Sequence, residues 1–241
     1  QAKTLFPYTT LFRSELCNRL FTVTSILSSE LRLTEIFYSL QGEARSVGVP
    51  TVFVRLTGCP LRCQYCDTTY SFTGGEKYSL EQILAQVASY GARYVCVTGG
   101  EPLAQPNCLL LLTALCDAGY QVSLETSGAL DVSQVDVRVS KVLDLKTPDS
   151  GESHRNLYDN VPYLTLNDQI KFVICSKRDY DWARFKLDEY QLIPRVSDVL
   201  FSPSYGQQNP TELAQWILHD KLAVRLQLQL HKFLWNNEAG H

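Results

Sequence analysis

The segment Gly58-Cys59-Pro60-Leu61-Arg62-Cys63-Gln64-Tyr65-Cys66-Asp67-Thr68 carries three thiols in the spacing C-x3-C-x2-C, and the next cysteine along the chain is Cys96. Three thiolates on so short a loop can hold three irons of a cubane [4Fe–4S] cluster and leave the fourth open to a small molecule. A fully ligated cluster can only pass electrons. Structural zinc wants four nitrogen or sulfur ligands, usually as two separated pairs, and no second C-x2-C or H-x3-H follows. A non-catalytic iron–sulfur or zinc protein is the competing reading. Cys17, Cys96, Cys108, Cys116 and Cys175 are irregularly spaced, and Cys96, Cys108 and Cys116 sit in apolar runs, as small buried hydrophobes do. Eight thiols without framework spacing point to a reducing, cytoplasmic compartment.

Chemistry on such a loop needs elements to aim it. From Leu33 onward, short β-branched or apolar runs recur at Thr51–Leu56, Tyr94–Val97, Gln121–Leu124, Lys141–Leu145, Ile170–Ile174, Asp198–Phe201 and Val224–Leu230. Helices with legible ends lie between several of them. Ser79-Leu80-Glu81-Gln82 is a capping box opening an apolar face of Leu80, Ile83, Leu84, Val87 and Ala88, and Gly91 suits a left-handed stop. A second helix follows Asn107 and ends at Gly119. A third opens with Asn209 as cap and Pro210 in its first turn, Glu212 completing a second capping box.

Strand, helix and strand in repetition predict a parallel sheet with right-handed crossovers. About 210 residues are short for a full (β/α)8 barrel of about 250. The fold class expected is therefore α/β, an incomplete (β/α)6-type parallel barrel. Polar motifs fall at the C-terminal ends of these strands: Cys59–Cys66, Thr98–Pro102, Glu125–Gly128, Asp144–Lys146, Ser202-Pro203 and His231-Lys232. Strand C-termini converge on a barrel mouth, where such folds do chemistry. Arg55 stands alone among the apolar residues Val52 to Leu56, and a buried arginine needs a partner.

A net charge of −3 in 241 residues argues against a nucleic-acid or anionic-membrane surface, and no apolar run approaches a membrane span. Residues 1–31 show no clear period and no A-x-A-like cleavage site; they read as a non-native or disordered extension before a single domain over 32–241.

Cys59, Cys63 and Cys66 followed by Gly99-Gly100-Glu101-Pro102 resemble the radical S-adenosylmethionine superfamily. Glu35-Ile36-Phe37-Tyr38-Ser39-Leu40-Gln41-Gly42-Glu43 and the ending Cys66-Asp67-Thr68 narrow the resemblance to the 7-carboxy-7-deazaguanine synthase family of the queuosine and 7-deazapurine pathway, over Leu33 to about Trp235. The resemblance implies a radical ring contraction of 6-carboxy-5,6,7,8-tetrahydropterin to 7-carboxy-7-deazaguanine with loss of ammonia, S-adenosylmethionine acting catalytically and Mg²⁺ assisting. It also implies a flavodoxin- or ferredoxin-type electron donor and a homodimer. A glycyl-radical activase shares the cysteine spacing and a partial barrel, but would need an open groove for a protein substrate.

Residue by residue, the resemblance makes Cys59, Cys63 and Cys66 the cluster ligands and Thr68 a ligand of Mg²⁺. It puts Leu40, Gln41, Gly42, Glu43, Arg55, Thr98 and His231 on the pterin, with Arg55 facing the pterin carboxylate and Glu43 its guanidine-like N–H donors. Tyr65, Asp67, Gly100 and Glu101 would contact S-adenosylmethionine, Glu101 through the methionine ammonium. Gly99 and Gly100 would leave room for that cofactor. Asp144, Leu145, Lys146, Ser202, Pro203, Ser204 and Tyr205 join them by position, and Glu125 would support substrate or structure. The family usually reads Leu-Gln-Gly-Glu-Gly where this chain has Ala44. If the backbone there is left-handed, the methyl costs on the order of 1 kcal/mol. Some members use a terminal carboxylate near the substrate, a role left in doubt here by residues 235–241.

Overall fold

A computed structural model describes residues 29–236, so most of the N-terminal extension and the last five residues lie outside the described part. Nine strands form one sheet in the order β3-β1-β2-β4-β5-β6-β7-β8-β9. They are β1 (Glu30–Leu40), β2 (Pro50–Leu56), β3 (Glu76–Ser79), β4 (Tyr94–Gly99), β5 (Gln121–Thr126), β6 (Ser140–Asp144), β7 (Gln169–Ile174), β8 (Asp198–Pro203) and β9 (Arg225–Leu226). From β2 onward neighbours run parallel, whereas β1 is antiparallel to both β2 and β3. The sheet stays open, with β3 and β9 at its edges. An incomplete parallel barrel is thus what the chain forms, extended at one side by an antiparallel pair.

Two strands were not foreseen. In β1, Leu31 and Leu33 are buried while Glu30 and Arg32 are exposed, the alternation of a half-buried strand. It starts at Glu30, so the first strand takes in two residues that the sequence reading left to the extension. β3 is a four-residue edge bearing Glu76 and Lys77, charges that discourage further pairing. At the other end the run Val224–Leu230 shrinks to the two residues of β9, and the chain then turns into a helix at Leu230.

The helices are α1 (Leu80–Ser89), α2 (Cys108–Asp117), α3 (Lys177–Glu189), α4 (Pro210–His219) and α5 (Leu230–Trp235). The Ser79–Gln82 capping box forms as read, and Gly91 (φ 64°) and Gly119 (φ 89°) follow the ends of α1 and α2. At α4, Asn209 Oδ1 accepts from the Thr211 and Glu212 amides, but the Glu212 carboxylate takes Gln208 Nε2 at 2.9 Å instead of closing a box. The β5–β6 and β6–β7 connections hold no α-helix, only turns and short 3₁₀ segments.

Period two assigns the strand side chains to two sides. Val52, Val54, Leu56, Val95, Val97, Leu124, Leu143, Ile170, Phe172 and Phe201 belong to the main core with helix residues such as Ile83, Leu112, Tyr180 and Leu213. Each such side chain stabilises the fold by about 1.5–3 kcal/mol. The alternate positions Phe53, Arg55, Thr98, Glu125, Asp144, Lys171, Val173 and Ser202 line a cavity on the concave side. Leu145 falls on the core register and is fully buried there, which overturns its placement as a cofactor contact.

Candidate active site

The cavity, of about 680 Å³, lies at the C-terminal ends of the parallel strands, a size suited to one small ligand or two in contact. Cys59, Cys63 and Cys66 line one part of it, on the loop that leaves β2. Two glycines set that loop against β4. A Cβ on Gly99 would stand 2.2 Å from Leu56 O, and one on Gly100 would stand 2.4 Å from Gly58 O and 2.7 Å from Cys59 Cβ. Glu101 N donates to Gly58 O at 2.8 Å. The side-chain room at Gly100 is therefore taken by the cysteine loop, while the backbone of both glycines lines the cavity.

Burial pushes the Cys59 thiol up, and the Cys63 thiol up to about 11, against the opposing pull of the Lys146 ammonium. Bound iron would reverse this by holding both as thiolates. Among the described residues, no group of three or more His, Cys, Asp or Glu gathers as a single-ion site. Two buried polar atoms beside the thiols, Tyr65 Oη and Asp144 Oδ1, have no hydrogen-bond partner. Orphaned atoms of this kind call for a ligand, so the residues present fit a cluster carrying a polar small molecule. Lys146 lies 3.0 Å from Asp144 Oδ2 and 5.9 Å from the Tyr65 ring centre. Burial alone would lower its ammonium, but Asp144 and Cys63 outweigh burial and raise it.

Thr68 lines the cavity, and its hydroxyl makes no cap to the 3₁₀ turn that follows. Ser202, Pro203, Ser204 and Tyr205 line the cavity from the end of β8. Glu101 departs from expectation. It is fully buried, off the cavity wall, and accepts from Leu103 N (3.0 Å), Thr126 Oγ1 (3.0 Å), Ser127 N (2.7 Å) and the Ser127 hydroxyl. The carboxylate ties the end of β4 to that of β5 and has no face left for a methionine ammonium.

Leu40, Gln41, Gly42, Glu43, Arg55, Thr98 and His231 all reach the cavity. Arg55 Nε donates to Glu35 Oε1 at 2.7 Å, and Tyr70 Oη donates to the same oxygen at 2.9 Å. An ion pair thus anchors Nε, while the side chain still lines the cavity. Among the described residues, no hydrogen bond is seen at its two outer nitrogens. Thr98 Oγ1 donates to Glu125 Oε2 at 2.9 Å, and Gln41 Nε2 to Glu125 Oε1 at 3.3 Å, which brings Glu125 into the site. Ala44 has φ 62°, the left-handed backbone at which the family has glycine, and its methyl packs with Val142 and Leu200.

His231 lies in the first turn of α5, not at a strand end. Its ring covers Gly42 so closely that a Cβ there would stand 2.1 Å from Nδ1, and Leu230 N donates to Gly42 O at 2.9 Å. Burial lowers its basicity, against the pull of Glu43 and Asp67, and leaves a neutral imidazole near pH 7. Asp67 lines the cavity but is held by Lys232 Nζ at 2.7 Å and Gln229 Nε2 at 3.4 Å.

Sequence reasoning missed Lys171 and Gln229 as site residues, together with the wall of Phe37, Phe53 and Tyr70, whereas Lys232, read as part of the polar motif at the barrel mouth, does line the cavity. Lys171 carried the signal that singled out Arg55, a lone cation in an apolar strand. Gln229 carried none, because its segment reads as strand but folds as a loop ahead of a helix. Among the described residues, no helix is long and apolar enough to cross a membrane.

The profile of the Radical SAM superfamily matches residues 53–145. A protein of Chlorobaculum tepidum named 7-carboxy-7-deazaguanine synthase is 44% identical over 213 residues, covering 87% of this chain and 96% of that one. Another so named, from Koribacter versatilis, is 42% identical over 223 residues, covering 87% and 99%. The crystal structure of QueE from Escherichia coli superposes with a TM-score of 0.70 at 25% identity, covering 84% of this chain and 95% of that one.

Proposed function

The chain belongs to the 7-carboxy-7-deazaguanine synthase family of radical S-adenosylmethionine enzymes, and from that premise we propose how its residues divide the work. The reaction is the ring contraction of 6-carboxy-5,6,7,8-tetrahydropterin to 7-carboxy-7-deazaguanine with loss of ammonia. The observation that carries this reading is one cavity whose wall holds three thiols on a single loop and, on neighbouring strands, Arg55, Glu43, Thr98 and Glu125. A glycyl-radical activase or a non-catalytic metal protein is not favoured by these relatives.

Cys59, Cys63 and Cys66 would hold a [4Fe–4S] cluster, which with S-adenosylmethionine would supply the one-electron chemistry for hydrogen abstraction from the pterin. The other residues bind, orient and exclude water. The outer nitrogens of Arg55 present a planar fork to the substrate carboxylate, a charge-assisted bidentate contact. Glu35, holding Nε, fixes the plane of that fork. Glu43 is an ionised acceptor for the pterin's N–H edge: burial raises its carboxyl, but Lys171 and the Gln229 hydrogen bond outweigh burial and bring it below the ordinary 4.5. Backbone groups of Leu40 to Gly42 complete that edge, with Thr98 and neutral His231 closing the sides. Tyr65, Asp67, Gly100, Asp144, Lys146 and Ser202–Tyr205 contribute to the S-adenosylmethionine side. Thr68 would offer a hard hydroxyl oxygen to Mg²⁺, a cation that takes oxygen ligands.

We further propose a flavodoxin- or ferredoxin-type donor, a homodimer, a cytoplasmic location and residues 1–28 as an extension dispensable for the reaction, Glu30 and Leu31 belonging to β1. The test is anaerobic cluster reconstitution followed by incubation with reductant, S-adenosylmethionine, Mg²⁺ and the tetrahydropterin. Mass spectrometry is expected to find 7-carboxy-7-deazaguanine, and its absence from a fully loaded protein would overturn the reading.

A further inference from the structure

We infer that Lys171 is a positioning residue for the pterin: seated on Glu43 within the cavity, it holds that carboxylate in the orientation and ionised form that the N–H edge of the substrate requires. This rests on the reading that Glu43 receives those donors.

Both groups are largely enclosed, with side chains 15% and 14% exposed, and Lys171 Nζ contacts Glu43 Oε2 directly. Gln229 Nε2 takes the other oxygen at 2.7 Å. One donor on each oxygen fixes the carboxylate plane and leaves lone pairs for two more. The stem of Lys171 is held by the sheet, since its Cα pairs with Asp144 in β6 and Leu200 in β8. A rigid strand, not a loop, therefore sets where Glu43 points, as a precise binding site needs.

The charges around the pair explain why the lysine stays protonated. Burial works against its ammonium, while Glu43, Asp144 and Glu125 outweigh burial and raise it. Glu43 in turn faces Lys171 from β7, Gln229 ahead of α5, Asp67 from the cysteine loop and His231 from α5, with Lys232 beside Asp67. Replacing Lys171 by a neutral residue leaves a buried carboxylate without its counter-charge, and such a group takes up a proton. A protonated Glu43 would meet the pterin N–H groups with a hydroxyl donor, and binding would weaken.

The probe is 6-carboxypterin, the oxidised and unreactive form with the same N–H edge. Its affinity for the reconstituted enzyme is read by equilibrium dialysis between about pH 6 and pH 9, alongside KM and kcat for the tetrahydropterin. Relative to wild type, K171M should bind more tightly as pH rises, by about tenfold per pH unit below the displaced Glu43 pKa. The change should fall on KM and not kcat. K171R, which keeps the charge, should follow the wild-type profile. The double variant K171M/E43Q should lose the added slope, because any dependence owed to His231 is common to all. If K171M does not fold, K171Q retains a donor without the charge and gives the same reading. A K171M or K171Q profile parallel to wild type overturns the inference. E43Q alone separates the two levels: unchanged pterin affinity there refutes Glu43 as a pterin contact, whereas weakened E43Q with a wild-type K171M profile refutes only the role of Lys171.

Discussion

Single residues decide whether a radical can be made and where it strikes. Cys63→Ala removes one of three thiols that line the cavity, so the brown absorbance of a reconstituted cluster and all turnover should vanish; a variant with full activity would contradict the ligand assignment. Arg55→Ala removes a charged fork while leaving the cluster loop intact. Loss of a charge-assisted contact predicts a rise in pterin KM of about ten- to a hundredfold at unchanged iron content. An unchanged KM would reduce Arg55 to its pair with Glu35. Thr68→Val keeps the shape and deletes the oxygen, so activity should fall at low Mg²⁺ and recover in part as Mg²⁺ is raised. Insensitivity to Mg²⁺ in both proteins would remove the metal from that site. At this scale the sequence was informative wherever a motif was local. The thiols, the Leu40–Glu43 turn and the lone Arg55 were legible because each is a short pattern with one physical reading. The occupation of Glu101 by Thr126 and Ser127 was not, since it depends on the side-by-side ends of two strands.

Elements hold those residues in place through a few tight contacts. Gly100→Ala would put a methyl against Gly58 O and Cys59 Cβ, and the backbone on one side must move. The expected result is a loss of stability of about 1–3 kcal/mol with reduced iron per chain, measured by urea unfolding and iron analysis; a normal iron load would show the loop to be adaptable. Farther from the chemistry, Asp168 is fully buried and accepts from Lys141 N (2.8 Å), Thr165 N (2.8 Å) and Lys141 Nζ (3.1 Å), joining the starts of β6 and β7. Asp168→Ala strands a buried lysine and should cost about 3–5 kcal/mol, seen as an earlier unfolding midpoint. The parallel strands were visible as apolar runs ending in polar motifs, and two helices by their caps. β1 escaped because its alternation runs through mixed polar residues, and β9 was overread because Leu226, Leu228 and Leu230 alternate although the chain turns into α5.

The described residues form an open sheet whose concave face carries the polar site residues among Phe37, Phe53 and Val173, and whose convex face is apolar. That division follows from period two along six parallel strands, and it made the mouth of the barrel predictable before any contact was known. What no local pattern could give is the closure by α5, where Gln229, His231 and Lys232 reach Glu43, Gly42 and Asp67 across more than 160 residues of sequence. Removal of residues 1–28, which lie outside the described residues, is expected to leave thermal stability and turnover unchanged, as the reading of that segment as an extension dispensable for the reaction requires. A lower melting temperature in the truncated chain would show that the extension takes part in the fold. The central claim, a radical ring contraction in which S-adenosylmethionine acts catalytically, is tested most directly by counting 7-carboxy-7-deazaguanine formed per S-adenosylmethionine consumed in the reconstituted, reduced enzyme. The account predicts several product molecules for each cofactor lost; 5′-deoxyadenosine accumulating beside unchanged tetrahydropterin would contradict it.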